Sequence, residues 1–318
     1  MTALLEVERL SAELPGGARP VDEVSFTLSP GRALGLVGES GCGKTSAALA
    51  IMRLLPDGAV ARGSVRLDGE SLLEAPEARI NELRGARIAM VFQEPLSALN
   101  PVLTVGSQIA EGLEVHARMK KADAARKAIE LLGSVGIPNA EEKARAYPHQ
   151  LSGGMRQRAL IAAALACEPK VLIADEPTTA LDVTVQAQIL ELLEGLQRER
   201  GLALLLITHD LGAVAAACDD VAVMYSGRIV EQGPVAEVFS SPRHPYTAAL
   251  LKARPSLASR GGPLEVLPGS VPGAAARVEG CRFRPRCPRA IEPCARSVPH
   301  VAEGGRYHEC HNPVGAGK

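Results

Sequence analysis

Apolar residues along this chain switch between two periods, and the switches mark its elements. The first 35 residues alternate, as LLEVERL, then VDEVSFTLSPG, then RALGLVG. Alternation at every second position predicts strands with one buried face, and Ser29-Pro30-Gly31 predicts a turn. The apolar run ALGLVG ends in glycine. SAALAIMRLL then takes up helical spacing until Pro56-Asp57-Gly58 stops it. GSVRLDGESL reads as a further strand and turn, and IAMVFQ (88–93) as a buried strand. From about 95 to 165 the chain turns rich in Ala, Leu, Glu and Lys at helical spacing, as in KADAARKAIELLGSVG, which predicts a helical insertion. VLIAD (171–175), LALLLITH (202–209) and VAVMYSG (221–227) read as buried strands and alternate with helical stretches. That order predicts a largely parallel α/β sheet.

Beyond about 235 the period disappears. SSPRHPY, GGPLEVLPGSVPG and PRCPRA are rich in Pro, Gly and Arg, and residues 277–318 hold eight Lys/Arg against four Glu. The expected organisation is a domain over 1–240 and an appendage over 241–318 with little apolar material, a disordered basic tail being the alternative. At 318 residues the chain is long enough for both. Hydrophobic residues at 46% and charged residues at 22% are the balance of a folded protein. A net charge of −1 gives no basic field for nucleic acid. No apolar run reaches the roughly 18 residues of a membrane span, and MTALLEVERL lacks the cationic start of a secretion signal, so a cytoplasmic location is expected. Aromatics are only 3%, with no Trp, so aliphatic packing is expected to fill the core.

Gly38-Glu39-Ser40-Gly41-Cys42-Gly43-Lys44-Thr45 fits G-x-x-x-x-G-K-[ST] between a predicted strand and a predicted helix that Ser46 continues. Glycines let successive backbone N–H groups turn inward around phosphate oxygens, and the helix N-terminus adds partial positive charge. Lys44 is expected to reach the β- and γ-phosphates and the Thr45 hydroxyl to ligate Mg²⁺. The strand VLIAD ends in Asp175 and is followed by Glu176. Asp175 is placed to hold Mg²⁺ and Glu176 to polarise an attacking water. A pair of helix-capping acids is the alternative. His209 and Gln93 each end a predicted strand, where ligands of parallel sheets bind. His209 is a candidate contact to the γ-phosphate, a purely structural histidine being the alternative. Gln93 is a candidate to orient water or Mg²⁺.

Leu151-Ser152-Gly153-Gly154-Met155-Arg156-Gln157-Arg158 resembles the signature motif of ATP-binding-cassette ATPases. With the glycine loop, Gln93, Asp175-Glu176 and His209 it follows that family's order from about residue 4 to 240. The resemblance implies a P-loop ATPase core with a β-rich N-terminal subdomain, a helical insertion and here a Cys-rich C-terminal extension. It also implies ATP and Mg²⁺ as cofactors. Ser152, Gly153 and Gly154 would contact the γ-phosphate of nucleotide on a second subunit, and Asp182 would belong to a loop crossing that interface. The residues agree, since Ser-Gly-Gly opening a helix is a further anion site. One departure stands out. Leu14 occupies the position where the family stacks an aromatic ring on adenine, so base selectivity is expected to be loose, with GTP use possible.

Phe92–Pro101, Ser241–Thr247 with Leu250-Leu251, Cys281-Arg282-Phe283 and Pro285-Arg286-Cys287-Pro288 resemble the oligopeptide, dipeptide and nickel importer subfamily. The resemblance implies an ATPase subunit powering uptake of di- or oligopeptides, or of a related small solute. Its partners would be two membrane permease subunits, a second ATPase subunit (a paralogue or a copy of itself) and a solute-binding protein. It would sit peripherally on the cytoplasmic face of the inner membrane. A soluble accessory ATPase of a carbon–phosphorus lyase-like complex is the alternative. Cys281, Cys287, Cys294 and Cys310 have five, six and fifteen residues between them, unlike a zinc ribbon or a ferredoxin run. Four thiolates suit zinc or an iron–sulfur cluster, free redox-labile thiols being a third reading, and His308 and His311 can substitute as ligands. The subfamily resemblance favours [4Fe–4S]. Cys42, at a helix N-terminus, is expected to be oxidisable, whereas Cys167 and Cys218 read as ordinary buried thiols.

Overall fold

The computed structural model describes residues 3–253, 269–273 and 278–315. The coil expected around GGPLEVL lies outside the described residues. In chain order, β1 (Leu5–Glu13), β2 (Val21–Leu28), β3 (Ala33–Val37), α1 (Lys44–Ile51), β4 (Val60–Leu67) and β5 (Glu70–Ser71) come first. α2 (Glu77–Leu83) and β6 (Ile88–Val91) precede five helices, α3 (Pro95–Ala98), α4 (Val105–His116), α5 (Lys121–Ser134), α6 (Ala140–Arg145) and α7 (Gly153–Ala164). These fall where the helical insertion is expected. There follow β7 (Val171–Asp175), α8 (Val183–Arg200), β8 (Ala203–Thr208), α9 (Leu211–Ala217), β9 (Asp220–Tyr225) and β10 (Arg228–Pro234). α10 (Val235–Ser240), α11 (Pro245–Lys252) and a short pair, β11 (Val301–Glu303) and β12 (Arg306–His308), close the chain.

Two compact units emerge, one of Leu5–Thr27, Ala33–Leu73 and Ile207–Lys318, the other of Met1–Leu4, Leu28–Arg32 and Glu74–Leu206. The first holds the antiparallel sheet β2-β1-β4-β5, with Leu5 opposite Leu67. Val21, Val24, Phe26 and Leu28 of β2 are its buried alternation. It also holds β3 parallel to β9, followed outward by antiparallel β10, β12 and β11. β3 is buried at every position, because a parallel strand covered on both faces has no solvated side. In the second unit β6 runs parallel to β7, Ile88 opposite Val171, with β8 next to β7. Thr104, Ser152 and Asp182 cap α4, α7 and α8, each side chain accepting from a backbone N–H of the first turn.

The C-terminal extension has a core of its own making. Phe283 and Tyr246 of the extension join Tyr225, Val37 and Val223 of the sheet in one buried cluster. Three of the chain's eight Phe and Tyr therefore meet at one place. The purely aliphatic core expected from composition does not hold here, because rings concentrated at one point fill what many aliphatics would. Glu231, fully buried in β10, accepts from the backbone N–H groups of Arg243 and His244 at 2.7 and 2.9 Å and from Arg306 at 2.9 Å. A buried carboxylate requires such partners, and here they tie two segments of the extension to one strand. A disordered tail does not describe these residues.

Candidate nucleotide site

The glycine loop lies in the first unit, between β3 and α1. Gly43 adopts φ 109°, and a Cβ there would stand 1.9 Å from the Pro20 carbonyl oxygen, so only glycine fits. The Lys44 side chain folds back over the loop, its ammonium donating to the carbonyls of Gly38 at 2.9 Å and Glu39 at 3.1 Å. Thr45 is exposed and Ser46 half-buried in the first turn of α1, while Ser40 and Gly41 are exposed at the loop tip. Cys42 departs from expectation. It is buried, and that burial raises its thiol pKa, with Lys44 only partly opposing. A helix end favours the thiolate, but here the desolvation cost of burial is larger, so the expected oxidisable thiol is not supported.

The second unit carries the carboxylates. Asp175 ends β7 at 1% exposure, and Glu176 follows in a left-handed turn with φ 45°. The Glu176 carboxylate accepts from Gln93 Nε2 at 3.2 Å and from Thr179 Oγ1 at 2.7 Å. Neither acid caps α8; Asp182 does, accepting from Val185 N–H at 3.0 Å. The helix-capping alternative for the pair is therefore ruled out at α8. Ser152 caps α7 by accepting from Met155 N–H at 3.3 Å, leaving Gly153 and Gly154 as the helix's first residues. A Cβ on Gly154 would lie 2.7 Å from Val185 Cγ1, so the opening of α7 packs directly on α8. His209, in the first unit, is exposed just past β8. The structure thus joins Gln93 to Glu176 in one unit and gathers Glu39, Cys42 and Lys44 in the other. Thr179 escaped the sequence reading, although a hydroxyl three residues after the carboxylate, in a turn, is a local signal for it.

The extension touches the glycine loop within the first unit, which no local pattern predicts. The Arg286 guanidinium pairs with the Glu39 carboxylate at 2.7 and 3.0 Å, and Tyr246 Oη accepts from the Glu39 N–H at 2.9 Å. Cys281, Cys287, Cys294 and Cys310 line one small cavity, about 10 Å³, together with His244 and His311. All four are free thiols. Burial raises the pKa of Cys281 and Cys287 and pushes Cys310 up to about 11. Among the described residues no group of three or more His, Cys, Asp and Glu stands in an arrangement that could hold a metal ion. The donor set of the expected cluster is thus assembled around one point, without ligating geometry. His308 does not line the cavity, and His311 Nε2 lies 3.3 Å from Ser297 Oγ. Cys167 and Cys218 stand elsewhere, burial pushing the Cys218 thiol up to about 12.

Comparison with known proteins decides the class. Residues 21–179 match the family described as ABC transporter. The chain belongs to this family. Residues 230–294 also match the oligopeptide/dipeptide transporter C-terminal region. A peptide import ATP-binding protein of Brucella melitensis is 51% identical over 301 residues, covering 91% of this chain and 89% of that protein. The oligopeptide transport ATP-binding protein OppD of Salmonella typhimurium is 47% identical over 315 residues, covering 98% and 94%. Among solved structures, cbiO1 of Clostridium perfringens, part of the ABC transporter complex cbiONQ, aligns with TM-score 0.64 and 28% identity over 76% of this chain and 92% of that one. The dimeric cassette MJ0796 bound to ADP and Pi aligns with TM-score 0.65 and 26% identity, over 73% and 98%. The chain is an ABC ATPase, and ATP with Mg²⁺ fits its family. Among the described residues no helix is long and apolar enough to cross a membrane.

Proposed function

We propose that this ABC ATPase powers the import of di- or oligopeptides, or of a related small solute, through a membrane permease. The match of residues 230–294 to the oligopeptide/dipeptide C-terminal region carries the reading, and relatives of about 50% identity bearing peptide-import names support it. Two permease subunits, a second ATPase subunit (a paralogue or a second copy) and a solute-binding protein complete the assembly, with the chain peripheral on the cytoplasmic face of the inner membrane. The cassette covers about 1–240 and the extension 241–318.

In this reading Gly38–Ser46 cradle the phosphates and Lys44 leaves its two carbonyls to meet them. Thr45, Gln93 and Asp175 serve Mg²⁺, Glu176 polarises water and His209 contacts the γ-phosphate. Ser152, Gly153, Gly154 and Asp182 face nucleotide on the second ATPase subunit. Leu14 in place of an aromatic ring relaxes base selectivity. The subfamily resemblance, and not the geometry of the thiols, carries a [4Fe–4S] cluster held by Cys281, Cys287, Cys294 and Cys310, with zinc or free thiols as the alternatives; bound, such a group would cross-link the extension. Iron, sulfide and zinc analysis of anaerobically purified protein decides between them.

The test of function is affinity purification of the tagged chain from detergent-solubilised membranes, with partners identified by mass spectrometry. Two multi-span proteins and an ABC ATPase are expected, and a co-purifying solute-binding protein would narrow the cargo. Only soluble partners, with the chain absent from membranes, would overturn transport. Glu176→Gln should keep nucleotide binding and lose hydrolysis; unchanged turnover would remove Glu176 from its role.

A further inference from the structure

Glu39, the second residue of the glycine loop, is gripped at three points. Its carbonyl accepts from Lys44 Nζ at 3.1 Å. Its N–H donates to Tyr246 Oη at 2.9 Å, and its carboxylate is paired through both oxygens with Arg286. The last two holds come from the extension. The Arg286 side chain is 6% exposed, its guanidinium 5.8 Å from the Tyr225 ring centroid and 6.0 Å from that of Phe283. Tyr246 is fully buried. A second path runs from Arg282, which donates to the Ser226 carbonyl and to Asp22. The next residue, Gly227, donates its N–H to the Cys42 carbonyl at 2.8 Å.

The Lys44 ammonium has three donors, and Gly38 and Glu39 take two of them, so turning toward phosphate loosens its hold on Glu39. Once it leaves, Glu39 keeps the Cys42 N–H on its carbonyl at 3.2 Å, and every hold from outside the loop comes from the extension. Arg286 also neutralises a carboxylate carried on the very loop that must accept a polyphosphate, and like charges held close oppose binding. From this geometry we infer that Arg286 and Tyr246 are positioning residues for nucleotide binding: the extension fixes and neutralises Glu39, and so sets the affinity of the glycine loop. The inference rests on the nucleotide-site reading above.

The test measures binding of a fluorescent ATP analogue with Mg²⁺, and steady-state hydrolysis, on the full chain. Arg286→Gln should weaken nucleotide binding roughly tenfold or more, as expected for losing a charged hydrogen-bond pair, and raise KM while kcat at saturating ATP changes little. Adding Glu39→Gln should recover most of that affinity, because the bare carboxylate is then gone; a merely structural role for Arg286 would not be rescued this way. Tyr246→Phe, which deletes only the acceptor, should raise KM severalfold without rescue by Glu39→Gln. Parent-like affinity in folded Arg286→Gln, or weakened binding that Glu39→Gln leaves unchanged, overturns the inference. If Arg286→Gln does not fold, Tyr246→Phe decides it by its own affinity. A parent chain that fails to bind the analogue would overturn the nucleotide-site reading instead.

Discussion

Replacing Phe283 with Ala tests whether the extension is part of the nucleotide-loop unit or rests on it loosely. Phe283 is 1% exposed, its ring edge-on to Tyr225 at 5.2 Å and 82° and tilted against Tyr246 at 5.4 Å. Truncating a buried Phe to Ala costs about 3–5 kcal/mol, because the transfer loss and the cavity add. Two ring partners place this site toward the upper end, since each such pair contributes about 0.5–1.5 kcal/mol beyond area. For a unit of about 150–250 residues each kcal/mol moves Tm by about 2–4 °C, so the drop should be roughly 6–20 °C. Calorimetry on the full chain reads it, and the relevant transition is the one that rises with added nucleotide, since a ligand stabilises the unit that binds it. Phe283→Leu keeps apolar bulk and loses the ring pairs, so it should fall between parent and Ala. If Phe283→Ala melts within 2 °C of the parent, the packing argument is wrong. The extension then behaves as a surface tail, where substitutions cost about 0.5 kcal/mol or less.

Four further outcomes follow from named contacts. Thr179→Val removes the 2.7 Å hydroxyl contact to Glu176 and should lower kcat roughly tenfold with KM little changed; unchanged kcat in steady-state hydrolysis would show that Glu176 needs no such support. Gly43→Ala should abolish binding of the fluorescent nucleotide, since its Cβ would meet the Pro20 carbonyl at 1.9 Å, and retained affinity would contradict that geometry. Burial, helped by His308, pushes the His244 pKa down to about 3 while its ring nitrogen accepts from Tyr246 N–H at 3.1 Å; the unfolded pKa is about 6.5. The unfolded chain therefore binds the extra proton, and this contribution is complete above about pH 6.5 and falls by about 1.4 kcal/mol per unit below it, so urea melts at pH 5 and 7 should show a clearly steeper loss in the parent than in His244→Asn, where His308, also lowered by burial, still contributes. Cys42, buried and with a raised pKa, should survive mild peroxide with nucleotide affinity intact, and rapid oxidation of that thiol by mass spectrometry would refute its burial.

What was legible in the sequence has one physical feature in common: its cause is local. Val171–Asp175 and Ala203–Thr208 read as strands because each is buried at every position, and a run with no polar face admits few other placements. The glycine loop and the signature are local too, since phosphate binding needs consecutive N–H groups in one turn. β10 escaped the pattern because Glu231 interrupts its apolar run, and that carboxylate is satisfied by groups at 243, 244 and 306. The extension's core was hidden for the same reason. Tyr225 ends a strand that the pattern does reveal, but Tyr246 and Phe283 sit in two separated segments, each too polar to announce burial alone.

Cys42 and Glu39 carry the argument one step further, because both lie inside the most legible motif of the chain. The motif states which backbone the chemistry needs at 38–45. It is silent on what surrounds that backbone, and the surroundings decide its electrostatics. For Cys42, burial outweighs the helix end and keeps the thiol protonated. For Glu39, a guanidinium from residue 286 cancels a charge that would otherwise face the polyphosphate. Replacing either neighbour leaves the motif intact to any reader of the sequence while changing the field at the phosphate. A glycine loop therefore identifies a nucleotide site, and the segments packed against it set how tightly that site binds.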